Sequence, residues 1–461
     1  MDGDRRDGVK IAYVGGGSRG WAWKLMSDLA AEPRLSGTVR LYDIERPAAE
    51  ANALIGNRLA SRPDVVGKWR YEVSQDLGSA LDGADFVVAS ILPGSFEEMA
   101  SDVHAPEEHG IFQSVGDTTG PGGVLRALRT IPQYVEIAEA VRDHCPDAWV
   151  INYTNPMALC VRTLYEVFPG IKALGCCHEV FGTRKLLAAV AREELGANDA
   201  EMADIEVNVL GINHFTWLDK ASYRGHDLFP AYRSFIGKHP QGFEAKGEGT
   251  WKTDWFSSCD LVKFDLFKRF GLIAAAGDRH LAEFMPPWYL RDRETVASWK
   301  FSLTPVSWRI ENAKSLRAKS ASLAAGKEPF VLDPSGEEGV AIMKALLGLG
   351  SFVTNVNLPN RGQLGGLPSG SVVESNAFFS RDAVRPLVAG RLPPAIEGMV
   401  AKHIGSHETV LAAAMSGDAR AALPAFIADP LMKIPPRDAE ALFAKMIAAT
   451  KSSLAKYYKG I

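Results

Sequence analysis

The chain has 461 residues, 46% of them hydrophobic and 23% charged, which gives ample material for a large core and argues against disorder. A net charge of −4 and a pI near 6.2 leave no basic footprint for nucleic acid, and no apolar run reaches the roughly 20 residues of a membrane helix. Five cysteines, an odd and sparse number, argue against a disulfide framework, and the polar start Met1–Lys10 lacks a secretory signal, so a cytoplasmic location is expected.

Val9–Val14 reads as a buried strand that runs into Gly15-Gly16-Gly17-Ser18-Arg19-Gly20, ahead of a helical pattern carried by Trp21, Leu25, Met26 and Leu29. A G-x-G-x-x-G between strand and helix lets the main chain approach a pyrophosphate, whose charge the helix N-terminus favours. Gly15, Gly17, Ser18, Arg19 and Gly20 are therefore candidate cofactor contacts. Val39–Tyr42 forms the next strand, and Asp43 lies 23 residues past Gly20, about where an acid binds the adenosine ribose diol of NAD. A turn-forming glycine run with a capping Asp is the plainer reading. Helices at Ala48–Ser61 and near Asp76–Leu81 and a strand at Ala84–Leu92 continue the alternation. The prediction is a Rossmann-like, doubly wound parallel sheet with a crevice at its carboxyl ends, where Ser90 and Pro93 face the dinucleotide.

Gln113–Gly123 is too rich in glycine for a regular element. Ordering it costs backbone entropy unless something holds it, so its one acid, Asp117, faces a ligand or makes an ordinary Asx-turn. A helix over Leu125–His144 leads to a strand, Ala148–Tyr153, ending in Thr154-Asn155-Pro156, where Asn155 is either a ligand contact or a cap. Ile171–Leu174 closes in Gly175-Cys176-Cys177-His178-Glu179-Val180, and Ile205–Ile212 ends in Asn213-His214, placing His214 37 residues after Cys177. A thiol and an imidazole at two strand ends are soft and borderline metal donors, although a buried Cys is often only a small hydrophobe.

After residue 201 the β/α regularity is expected to lapse. The stretch 251–310 mixes Trp251, Trp255, Trp288, Trp299 and Trp308 with Arg291, Arg293, Lys300 and Arg309, and encloses Ala276–Phe284, dense in titratable groups. Aromatic faces with cations suit a sugar bearing an anion, or an ordinary surface. A helix at Gly339–Leu347, a strand and turn at Val353–Gly362 and a helical tail from Arg385 follow. The expected division is an NAD-binding domain, 1–200, and an α+β domain, 201–461, for substrate, metal and oligomerisation.

Together these residues resemble family 4 of the glycoside hydrolases, NAD-dependent and manganese-assisted glycosidases with the fold of lactate and malate dehydrogenases. The resemblance runs over nearly the whole chain. It rests on the Gly-rich start with Gly-Ser, Gly116-Asp117, Thr154-Asn155-Pro156, Cys177-His178-Glu179-Val180, Gly211-Ile212-Asn213-His214, Gly277-Asp278 and Asn357-Leu358-Pro359-Asn360. Within the family, Gln113–Gly123, Cys177–Gly182 and Gly277–Phe284 look most like the bacterial alpha-galacturonidases.

The resemblance implies that Cys177 and His214 hold Mn2+ or another divalent metal and that Asn155 and His178 contact sugar hydroxyls. It also makes Asp117 the general acid and Asp278 the base, although other branches use a tyrosine there. Asn213, Arg279 and His280 are further candidate substrate contacts. The implied chemistry takes hydride from C3 to NAD, removes the acidified C2 proton, expels the C1 substituent, adds water and returns the hydride, outside the usual two-carboxylate scheme. The implied substrate is an alpha-galacturonide, with at least one of Arg279, Arg291, Arg293, Lys300, Arg309 and Arg361 on its carboxylate. Alternatives are an alpha-glucuronidase or sulfoquinovosidase, a neutral alpha-glucosidase or galactosidase, and, from the fold alone, a malate-type dehydrogenase. Partners are expected to be a small glycoside and further copies of the chain, as a homodimer or homotetramer, with no nucleic acid or membrane.

Overall fold

The computed structural model describes residues 5–461. Its first part alternates as expected through β1 (Arg6–Val14), α1 (Trp21–Ala30), β2 (Leu35–Tyr42), α2 (Arg46–Ala60), β3 (Lys68–Val73), α3 (Leu77–Leu81) and β4 (Phe86–Ala89). It continues through α4 (Phe96–His104), α5 (Gly120–His144), β5 (Trp149–Asn152), α6 (Met157–Val167), β6 (Lys172–Gly175) and α7 (Glu179–Leu195). The parallel strands lie in the order β3-β2-β1-β4-β5-β6, so the direction of winding reverses between β1 and β4. Loops diverge there, and their divergence opens a crevice at the carboxyl ends.

Burial accounts for the sequence pattern. Every residue of β4 is buried, as are the last four of β1, because helices cover both faces of a parallel sheet. Alternating side chains send Ile11, Tyr13, Phe86 and Val88 into one core and Ala12, Val14, Val87 and Ala89 into the other. In this first part three elements have no counterpart in the sequence reading: β3, α4 and α6. The first is a charged edge strand, Lys-Trp-Arg-Tyr-Glu-Val, whose alternation covers only a few residues.

Beyond residue 201 the β/α alternation lapses as expected, and antiparallel pairing takes its place. β7 (Ile205–Ile212) and β8 (Phe215–Tyr223) form an antiparallel hairpin flanked by the short strands β9 (His226–Asp227) and β10 (Ile273–Ala274). The helices α8 (Phe229–Lys238), α9 (Leu261–Phe270) and α10 (Asp278–Phe284) pack nearby. β11 (Phe352–Pro359) then returns to the first sheet, antiparallel to β6 with Asn357 opposite Gly175. Past the two-residue β12 (Leu364–Gly365), β13 (Val372–Ser380) and β14 (Ala383–Pro386) complete a nine-stranded sheet. Helix from Arg385 onward is corrected: Arg385 lies in β14, and the first tail helix starts at Pro394. Among the described residues no helix is long and apolar enough to cross a membrane.

Candidate active site

The crevice has a main-chain side and a side-chain side. On the first, the loop after β1 packs so closely that a Cβ on Gly15, whose φ is 89°, would run into the Ser90 carbonyl. A Cβ on Gly17 would meet the Asp43 carboxylate, whose Oδ2 accepts the Gly17 N–H at 2.9 Å. Asn52 ties the loop down: its amide donates to the carbonyls of Gly16 and Ser18 at 2.8 and 2.9 Å, and its own oxygen accepts from Trp23. The Ser18 hydroxyl accepts the Trp21 N–H, Arg19 pairs with Glu45 at 2.9 Å, and Gly20 opens α1. Ser90 and the buried Pro93 follow β4 on the facing wall. The predicted cofactor residues thus line one end of the sheet, in a cradle only glycine permits, and Asn52 is the member the motif did not reveal.

The second side converges from four segments. The Gln113–Gly123 loop is ordered, and its holders come from the far half of the chain. Glu283 accepts the N–H groups of Val115 and Gly116 at 2.7 and 2.9 Å, and the Arg279 guanidinium donates to the Ser114 carbonyl at 2.5 Å. Asp429 accepts the Gly120 N–H at 3.1 Å. Asp117, at the loop's centre, accepts from its neighbour Thr118 at 2.8 Å, and the Thr118 hydroxyl also meets His214 Nδ1 at 3.1 Å.

Asn213 and His214 are the two-residue turn of the hairpin, since Ile212 pairs with Phe215. His214 holds φ at 65°, a conformation rare for a residue with a side chain and one that needs surrounding contacts to persist. Those contacts are Thr118 and His280, whose ring lies 3.7 Å from that of His214, centroid to centroid. Burial, with His280 beside it, pushes the His214 imidazole down to about 3. Glu179 opens α7 with its carboxylate on the Gly277 N–H at 2.7 Å and 3.7 Å from His280 Nε2. Burial alone would raise that carboxyl, but His280, His214, His178 and the Gly277 N–H hold it down to about 2.

Cys177 is buried at the end of β6, where burial and the carboxylates of Glu374 and Glu179 push its thiol well above the usual range. Behind it, Glu374 on β13 accepts from Asn213 at 3.3 Å and from Asn355 at 2.7 Å. The second of these amides also reaches the Cys177 carbonyl at 3.4 Å. Asn155 leaves its buried side-chain oxygen unpaired, as does Asn213.

A thiol, an imidazole whose Nδ1 is tethered so that Nε2 is left, and carboxylates with no matching cation are a donor set that fits a divalent metal. Among the described residues no three His, Cys, Asp or Glu side chains are grouped to hold one.

Several predicted positions are engaged by other parts of the fold. Asp278 is fully buried, and its carboxylate accepts the N–H groups of Val262 and Lys263 at 3.3 and 3.1 Å, satisfying the first turn of α9. That geometry caps a helix. Arg279 donates from Nε to the Ser302 carbonyl and from one terminal nitrogen to Ser114 and Thr304, which helps order the loop. His178 lies at the mouth with its Nδ1 2.6 Å from Glu337. Of the other cations, Arg291 pairs with Asp292, Arg293 with Glu107 and Lys300 with Gln241, Arg309 lies over Phe256, and Arg361 is exposed.

Comparison with known proteins places this geometry. Residues 10–193 match family 4 glycosyl hydrolases and residues 209–432 match the family 4 glycosyl hydrolase C-terminal domain. The alpha-galacturonidase of Thermoanaerobacterium saccharolyticum is 56% identical over 98% of this chain and 98% of its own length. The crystal structure of the Bacillus subtilis protein lplD superposes with a TM-score of 0.92 at 52% identity, covering 96% of this chain and all of that one. A 6-phospho-alpha-glucosidase from gut microorganisms, solved in complex with NAD and Mn2+, has a TM-score of 0.80 at 20% identity, over 97% of this chain and 99% of its own.

Proposed function

This chain belongs to family 4 of the glycosyl hydrolases, and from that premise we propose that it hydrolyses alpha-galacturonides with the help of NAD and a divalent metal such as Mn2+. The observation that carries the reading is identity above one half, end to end, to an alpha-galacturonidase, in a chain that carries Asn155 and Cys177 just past the carboxyl ends of β5 and β6.

In this reading Gly15, Gly17, Ser18, Gly20 and Asp43 hold the dinucleotide, and Cys177 and His214 hold the metal. When bound, NAD supplies a reversible hydride acceptor and the metal a Lewis acid for sugar oxygens. The chain's own part is orientation and proton traffic. Asn155 and Asn213 keep unpaired oxygens for sugar hydroxyls, and an unmet acceptor in a buried site costs about 1 to 3 kcal/mol until a ligand satisfies it. Asp117, held on the ordered loop beside Thr118, is placed to pass a proton to the departing oxygen at C1. Because Asp278 caps α9, the base is proposed instead to be Glu179, whose carboxylate accepts the Gly277 N–H and lies 3.7 Å from His280.

A cytoplasmic homodimer or homotetramer belongs to the same proposal, and five buried, unpaired cysteines accord with a reducing compartment. Purified protein should release nitrophenol from nitrophenyl alpha-galacturonide only when both NAD and Mn2+ are added. Release that ignores both, or net accumulation of NADH, would reject the reading.

A further inference from the structure

Thr118 is buried, and its hydroxyl touches two groups that the reading above puts to work. It donates to Asp117 Oδ1 at 2.8 Å and meets His214 Nδ1 at 3.1 Å. The second contact is non-local, since His214 lies 96 residues further on, in the turn between β7 and β8. Among the described residues it is also the only hydrogen bond of that imidazole. The His280 ring lies 3.7 Å from the His214 ring, centroid to centroid. Stacking therefore sets the plane of the imidazole, and Thr118 fixes which edge points where.

A hydroxyl carries one proton, and that count gives the chain of contacts a direction. Spent on the Asp117 carboxylate, the proton leaves Thr118 Oγ1 with lone pairs alone, so Nδ1 must bring the hydrogen to the second contact. In a neutral imidazole, the form that binds metals, the free lone pair then lies on Nε2. The opposite direction, with Thr118 donating to Nδ1, would move the ring proton to Nε2. It would also set Thr118 Oγ1 against an acceptor oxygen of Asp117 at 2.8 Å with no hydrogen between them. The carboxylate thus decides, through the hydroxyl, which nitrogen of His214 is open.

We infer that Thr118 is a positioning residue for the metal ligand His214: it takes the Nδ1 hydrogen, holds the ring in one tautomer and so presents Nε2 to a divalent cation. The inference rests on the metal reading above and deepens it. Partners that orient a metal-binding histidine through its other nitrogen are worth roughly ten- to a hundredfold in metal affinity. Thr118 would supply that from the same loop that carries Asp117.

The test measures Mn2+ affinity by calorimetry on NAD-saturated wild type, Thr118→Val, Thr118→Ser and His214→Ala. Valine keeps the shape and removes the hydroxyl, so the Kd for Mn2+ should rise roughly ten- to a hundredfold. Serine restores the hydroxyl and should bind close to wild type. A valine variant that melts lower but binds Mn2+ as wild type does would show a merely structural residue and overturn the inference alone, as would a serine variant as weak as valine. A wild type that binds no Mn2+, or His214→Ala that binds it unchanged, would overturn the metal reading itself and the inference with it. Should Thr118→Val fail to fold, nitrogen NMR of metal-free wild type with isotope-labelled histidine decides, the His214 signals being assigned by their loss in His214→Ala. A ring protonated on Nδ1 alone supports the inference, and a proton on Nε2 overturns it.

Discussion

The two sides of the crevice solve opposite problems. The nucleotide side is made by consecutive residues, Gly15 to Gly20, presenting main chain, and its precision comes from what is missing: a Cβ at Gly15 or Gly17 has no room. The substrate side is made by side chains from segments as distant as Asp117, Cys177, His214 and His280, and its precision comes from what is added. Glu283, Arg279, Asp429 and Glu374 belong to the later half of the chain and hold groups belonging to the earlier half or to the hairpin. A backbone site is local and written as a motif. A side-chain site is non-local and exists only once the sheet has closed.

If that division is right, the two sides fail separately. The largest effect is expected from Cys177→Ser. Loss of a residue that only orients a metal ligand costs about ten- to a hundredfold, so replacing a ligand itself should lower glycosidase kcat/KM by more than about a hundredfold. NAD affinity, followed by quenching of tryptophan fluorescence, should stay within a few-fold. A parallel collapse of NAD affinity would show that the two sides are one cooperative unit and break the comparison.

Gly15→Ala should do the reverse at a smaller scale. The added methyl meets the Ser90 carbonyl and the alanine must hold φ near 89°. Overpacking or a left-handed conformation costs about 1 to 3 kcal/mol, so one such cost carried into NAD binding should weaken it roughly five- to a hundredfold in a fluorescence titration. Mn2+ affinity measured by calorimetry should be unaffected. Weakened Mn2+ binding would count against separable sides.

What could be read from sequence follows the same line. The strand Val9–Val14, the glycine loop and Asp43 were legible because chain neighbours make them, and buried parallel strands announce themselves as apolar runs. Strand β3 was not, because an edge strand with Lys68, Arg70 and Glu72 offers little apolar signal. Nor were β13 and β14, whose place beside β11 depends on pairing across the sheet, or the helix α6 that opens directly after Pro156. In the site, Cys177 and His214 stand out as residue types at strand ends. Glu179 was visible within its motif, but its alignment with His280 and Gly277 is a fact of the fold.

Asp278 gives the smallest expected effect and the finest test, because motif and geometry disagree about it. As the base, Asp278→Asn would cost at least a thousandfold in kcat/KM. As the cap of α9, it should leave kcat/KM within about threefold and cost about 1 kcal/mol in stability, the usual value of a lost cap. The pH dependence separates these further. Burial, with Asp260 beside it, pushes the Asp278 carboxyl up to about 7, far above the value near 3.8 expected once unfolded. A group whose folded value is raised binds its proton more tightly in the native state, so its contribution to stability is complete below about 3.8 and is lost as pH rises through about 7. Wild type should therefore lose part of its melting temperature between pH 5 and 8, and Asp278→Asn, which carries no titrating group there, should lose less. The gap between the two proteins is expected to be widest at acid pH and to narrow toward pH 8. Thermal melts across that range check it, and a gap that widens with pH would mean that the ionised carboxylate, not the protonated one, is the form the fold prefers.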